Sequence, residues 1–350
     1  MSIVWVSFIV FAVVYFSMPL FKKLAMELGV LDLPGKRKIH NKAVPLLGGL
    51  AIYLGLIFGF LLKLRDFYAF YPVIISATLI LIVGLVDDIR KLSAQFRIVC
   101  QFLAASYIIY SGIRISFLPH TFWGDIGEII ITLTWIIGVT NAYNYLDGMD
   151  GLASGSAVVN ALCFSVILYT TKQFFLAYFC LILAAACLGF LPHNFKREKI
   201  FLGDGGSTLL GFLLANIALV GYWAQDSIVK ISIPVLILGV PIFDMIFTTI
   251  MRIKEEKVKT VIQWLKYGGK DHFHHCLVDI GLNPHGAVIF IYLVTFSLGI
   301  SAIMVSNDRA IEAFLSLSQA SIMFGVIATL IVVGKRRRSG WRSEEKEKLP

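Results

Sequence analysis

Charge is what this chain has least of. Only 15% of its 350 residues are Asp, Glu, Lys or Arg, against about 25% in soluble domains. Hydrophobic residues make up 58%, and mean hydropathy is +0.81. That balance excludes a soluble globular protein. The apolar runs show no period-two alternation, which excludes a transmembrane barrel. The five cysteines, Cys100, Cys163, Cys180, Cys187 and Cys276, form no CxxC pair, so neither a disulfide frame nor a zinc site is supported. Internal repeats, low-complexity tracts and a long soluble insertion are missing as well. The first apolar run has no basic n-region and no small-residue cleavage site, so it reads as a retained helix rather than a signal peptide.

What is present is a succession of apolar helices. A span needs roughly 17 to 25 mostly apolar residues. Such runs start near Ile3, Leu46, Phe70, Ile98, Gly127, Ala153, Phe174, Ser207, Ile228, Ala287 and Ile311. The expected fold is all-α, a polytopic membrane bundle of ten to eleven helices, in one domain over 1–350 with a basic tail at 334–350.

Basic residues orient the bundle. Lys63, Arg65, Arg114, Lys172, Lys230 and Arg309 fall in even-numbered loops, and every other Lys and Arg falls in an odd-numbered loop or the tail. The amino terminus is therefore expected outside, and the odd loops and carboxyl terminus in the cytoplasm. The formal charge of +9 does not indicate nucleic acid, because the cations are scattered through juxtamembrane loops with no aromatic-interleaved stripe. Topology and anionic lipid account for it; the run Lys335 to Arg338 reads as a stop-transfer anchor.

Four polar constellations fall at the ends of apolar runs on the cytoplasmic side. The third run ends in Asp87-Asp88-Ile-Arg-Lys91. Acid at a helix carboxyl end opposes the helix dipole, so the pair needs a cation or nearby Arg90, Lys91 and Arg97; it could also cap the next helix. The fifth run ends in Asn141-Ala-Tyr-Asn144-Tyr-Leu-Asp147-Gly-Met-Asp150-Gly151. Spacing of three places Asn141, Asn144 and Asp147 on one helical face, a set suited to a cation and a phosphorylated ligand, with Asx turns as the alternative. Before the eighth run comes Phe201-Leu-Gly203-Asp204-Gly205-Gly206-Ser207. Helix amino termini attract phosphate, and Asp204 inside such a loop argues for a magnesium bridge; a flexible loop would look the same. The ninth loop carries Asp271-His272-Phe273-His274-His275 beside Lys266 and Lys270, a hydrogen-bonding or cationic patch or a solvated loop. Inside the ninth run, Asp244 costs at least about 2.5 kcal/mol on insertion scales. It serves the site or pairs structurally, with Arg252 as the candidate.

In order, Asp87-Asp88, Asn141 through Asp150, Gly203 through Ser207 and His272-Phe-His274-His275 resemble the polyprenyl-phosphate N-acetylhexosamine-1-phosphate transferase superfamily over residues 20 to 285. The stretch from Asp32 through Lys38 and His40 to Gly49 is similar to that family's amino-terminal signature. The resemblance implies a cytoplasmic cleft at the inner (plasma) membrane that holds Mg2+, with Mn2+ as a substitute. It implies transfer of a sugar phosphate from a UDP-N-acetylhexosamine to polyprenyl phosphate, with UMP released, as the first membrane step of a cell-envelope glycan pathway. It casts Asp87, Asp88, Asp147 and Asp150 as catalytic and Asp204, Asp88 and Asp150 as metal ligands. Lys38, His40, Lys91, Asn141, Asn144, Phe201, Gly205, Ser207, His272, His274 and His275 become substrate-binding. Asp-His-Phe-His-His is similar to the branch using UDP-N-acetylglucosamine or related UDP-N-acetylhexosamines, with undecaprenyl phosphate as the lipid, whereas the muramoyl-pentapeptide branch typically carries three consecutive histidines. Many relatives have arginine where this chain has Cys276. A homodimer is compatible with the sequence. A transporter is the rival from another class, but transporters gather polar groups near the midplane rather than at one rim.

Overall fold

The computed structural model describes residues 2–33, 43–63, 68–195, 199–260, 263–264, 267, 269, 271–306 and 309–347. Lys38 and His40 lie outside the described residues. The helices are α1 (Ile3–Glu27), α2 (Gly48–Lys63), α3 (Tyr71–Arg90), α4 (Ala94–Tyr110), α5 (Phe122–Leu146), α6 (Leu152–Thr170) and α7 (Phe174–Asn194). They continue with α8 (Gly203–Val220), α9 (Ser227–Ile237), α10 (Gly239–Lys254), α11 (Phe273–Asp279), α12 (Pro284–Val305) and α13 (Ala310–Glu347). One short antiparallel ribbon, β1 (Leu31–Asp32) with β2 (Val44–Pro45), pairs Leu31 with Pro45 and Asp32 with Val44.

Among the described residues eight helices are long and apolar enough to cross a membrane, and nine spans result if α9 and α10, bent by 78°, count as one. The expected ten to eleven slightly exceeds this. Each expected run is a helix, but α2 has 16 residues and α4 has 17, about 24 to 26 Å against a hydrocarbon core of about 30 Å. Local chemistry sets several boundaries. Ser93, Thr121, Asp226 and Asn283 accept backbone N–H groups at the starts of α4, α5, α9 and α12, and Pro284 occupies the first turn of α12, where no N–H is missed.

Packing places α8 at the centre: 83% of its apolar window is buried, against 22% for α1 and 17% for α13. Lipid tails supply no hydrophobic drive between helices, so close backbone approach over small residues holds such bundles together. Gly84 of α3 lies against the backbone of Gly205, and Gly49 of α2 against that of Gly206. The chain entering α8 is also stitched to α2, because Phe201 N–H donates to Pro45 O (2.8 Å), Gly48 N–H to Phe201 O (3.0 Å) and Gly49 N–H to Leu202 O (2.9 Å). These bonds bring the ribbon, the start of α2 and the start of α8 to one end of the bundle.

Candidate active site

At that end lies a cavity of about 580 Å³. Its walls come from the ribbon, the end of α3, the turn between α5 and α6, the connection from α7 to α8, the α11 segment and the start of α12. Of the sequence candidates it brings together Asp88, Lys91, Asn144, Asp147, Asp150, Phe201, Asp204 and His275. Asp87, Asn141, Gly205, Ser207, His272 and His274 stand behind the wall.

Five carboxylates line the cavity, and the four other than Asp32 have different surroundings. Asp88 accepts the N–H groups of Asp204 (2.8 Å) and Gly205 (3.2 Å), so it caps α8 from a neighbouring helix. Asp204 is steered by Asn144, whose amide donates to its Oδ1 (2.8 Å) and to Ser207 Oγ (2.9 Å). Its Oδ2 lies 3.9 Å from Arg97. Asp150 holds Lys199 at 2.7 and 2.9 Å. Asp147, the residue that ends α5, makes no side-chain hydrogen bond or ion pair among the described residues. Burial first, then the charges of Asp204, Asp88 and Asp150, push its carboxyl well above the usual carboxylate range.

The residues behind the wall have surroundings of their own. Asp87 does not line the cavity: its carboxylate holds Arg97 (2.8 Å), accepts Leu92 N–H (2.5 Å) and lies against the carboxyl of Asp204, which does. Gly205 offers no free amide to a phosphate, since its N–H goes to Asp88. The glycine segment is the first turn of α8, and Gly205 and Gly206 are small because α3 and α2 pass against them. Only Gly203, at φ +78, uses a backbone conformation that disfavours side chains. Asn141 faces Gln101 of α4, donating to its Oε1 at 2.6 Å. His272 and Asp271 belong to a buried cluster with Arg252 and Asp244, so Asp244 reaches Arg252 through His272 rather than directly. His274 is buried, neither ring nitrogen has a partner among the described residues, and burial drives its pKa down to about 3. It is a neutral wedge under Gly148, where an added Cβ would meet its ring.

Sequence reasoning missed Lys199, Asn194 and His285, which line the cavity, and used Arg97 only as background charge. Lys199 spans Asp150 and the Phe201 ring, 4.9 Å from its centroid. Asn194 ties the loops by accepting Gly151 N–H and donating to Ile200 O (2.8 Å). One Lys among the cations of a topology-setting loop carries no local signal for such a role; Asn194, at a helix end, had a weak one.

The donor set suits a hard divalent cation: carboxylates and an amide around an unpaired Asp147. Among the described residues no three Asp, Glu, His or Cys side chains form a ready-made cage. Magnesium is ordinarily held by one or two carboxylates, water and substrate phosphates, so Asp147 and Asp204 fit that mode.

The pattern of glycosyl transferase family 4 matches residues 70–222, from the end of the turn before α3 to just past α8. A Bacillus subtilis protein described as a "probable undecaprenyl-phosphate N-acetylglucosaminyl 1-phosphate transferase" is 35% identical over 295 residues, covering 83% of this chain and 81% of its own length. The chain belongs to glycosyl transferase family 4. A Mycobacterium tuberculosis decaprenyl-phosphate N-acetylglucosaminephosphotransferase is 31% identical over 363 residues, with 93% and 87% covered. An Escherichia coli undecaprenyl-phosphate alpha-N-acetylglucosaminyl 1-phosphate transferase is 26% identical over 309 residues, with 85% and 82% covered. The family match contains the acid pair, the Asn/Asp turn and the glycine segment, and the histidine segment lies beyond it.

Proposed function

We propose that this family 4 protein transfers N-acetylglucosamine 1-phosphate from UDP-N-acetylglucosamine to a polyprenyl phosphate at the cytoplasmic face of the plasma membrane, releasing UMP. The observation that carries the reading is the convergence of sequence-distant carboxylates, Lys91 and His275 on one cavity at the end of an apolar bundle. A membrane enzyme acting between a water-soluble nucleotide sugar and a lipid phosphate needs its site there.

In the reaction an oxygen of the lipid phosphate attacks the β-phosphorus of the UDP-sugar. The bond from that phosphorus to the bridging oxygen breaks, and the electron pair leaves with UMP. Both partners are anions, so positioning and charge neutralisation dominate. A bound magnesium ion supplies neutralisation of the diphosphate. Among the described residues Lys91 and Lys199 are the lysines that line the cavity, and Phe201 offers a face for a flat ring. Asn144 and Asp88 hold Asp204 and the start of α8 in place. Because Asp87 is committed to Arg97, it acts here by placing that guanidinium against Asp204 rather than as a base.

The test is the purified protein in lipid with polyprenyl phosphate, magnesium and a panel of UDP-sugars, scored by UMP and by the glycolipid formed. UMP release with UDP-N-acetylglucosamine supports the reading, and a silent panel rejects it.

A further inference from the structure

The chain passing from α10 to α11 is tied to the bundle through four buried polar side chains. Arg252 is 1% exposed and grips Asp271 through Nε (3.0 Å) and an Nη (2.8 Å). Asp244, fully buried on the same helix, accepts Phe273 N–H at 2.6 Å and Thr248 Oγ1 at 3.1 Å, and its other oxygen lies 3.2 Å from His272 Nδ1. The Arg252 guanidinium lies 3.1 Å from His272 Nε2. A guanidinium can only donate, so Nε2 must accept, and the ring proton sits on Nδ1, where it donates to Asp244. The Tyr145 ring covers His272 at 4.8 Å. None of the four lines the cavity, yet His275, three residues further on, does.

We infer that Asp244 is a positioning residue: it fixes His272 as the Nδ1-protonated neutral imidazole and, with the Arg252–Asp271 pair, sets the direction in which His275 enters the cavity. The inference rests on the cavity being the transferase site. It gives the intramembrane carboxylate a purpose that its cost in lipid requires. It also separates the histidines into a structural pair, His272 and His274, and one cavity residue, His275. A buried network of this kind acts as one unit, since removal of one charge strands the others.

The reading of the cavity is checked first, by UMP release from the wild-type protein; a silent wild type counts against that reading and not against the positioning role of Asp244. In an active protein, Asp244→Asn keeps an acceptor for Phe273 but removes the charge facing His272. Its kcat/KM for the UDP-sugar is expected to fall roughly tenfold to a hundredfold, with the KM for polyprenyl phosphate unchanged. Wild-type kinetics, or a loss shared equally by both substrates, would overturn the inference. If Asp244→Asn does not fold, His272→Asn, whose amide can still donate toward Asp244, is expected to keep more activity than His272→Ala; equal activities would overturn it. Histidine 15N spectra of the wild-type protein provide a readout that needs no variant: an Nδ1-protonated neutral ring is expected, and its absence would overturn the assignment.

Discussion

Residues of one type at this site differ by what touches them. Asp204 has one oxygen held by Asn144 and one turned toward Arg97, so Asp204→Asn should keep the fold while abolishing turnover and weakening the dependence on magnesium, measured by UMP release across a magnesium titration. Near-normal turnover at low magnesium would remove Asp204 from the site. Asp87→Asn should lower activity by a similar factor from about pH 6 to about pH 9; full recovery at the alkaline end would restore Asp87 as a general base. His274 gives a stability signature. Its pKa is about 3 in the folded protein against an ordinary 6.5. Below about pH 6.5 the unfolded chain therefore takes up a proton that the folded chain refuses, and stability falls on acidification until the folded pKa is reached. Between about pH 7 and about pH 5 this group alone should cost about 2 kcal/mol. Denaturant unfolding in detergent should show that slope in the wild type and a shallower one in His274→Phe.

At the scale of elements, the start of α8 organises the site. It is clasped by α2 and α3 through glycine contacts and capped by Asp88 from α3. Gly84→Val should force backbone against backbone, costing about 1 to 3 kcal/mol as overpacking does, and should lower activity because Asp204 sits on the displaced turn. A variant with wild-type unfolding midpoint would show that α3 and α8 have room to part. The glycines illustrate how far sequence reading reaches. A Gly-Asp-Gly-Gly-Ser run before an apolar helix was readable as a helix start near a charged ligand, and its place on the cavity was legible. That its amides serve Asp88 was not, because the partner lies more than a hundred residues away. The reverse holds for α9 and α10: their combined apolar length was visible, but the 78° bend between them was not.

For the whole molecule, the peripheral helices α1 and α13 expose large apolar side chains such as Trp5, Phe16, Phe314 and Leu330, the surface lipid requires, while the polar groups of the cavity gather at one end. If the odd loops face the cytoplasm, protease added to inside-out vesicles should trim the carboxyl-terminal tail, and protease added to right-side-out vesicles should not. The motifs' common address was legible because helices alternate direction: polar clusters at the ends of the third, fifth and seventh connections must share a face. By itself the sequence determined that the chain is a membrane-embedded helical bundle, since long apolar runs satisfy their backbone only as helices in lipid. It also determined which residues could meet. Tertiary structure alone decided which carboxylate lacks a partner. Arg97, Lys199 and the α8 amides reach Asp87, Asp150 and Asp88 from other segments, which leaves Asp147 on the cavity wall with no side-chain partner among the described residues, its carboxyl held above the usual range first of all by burial.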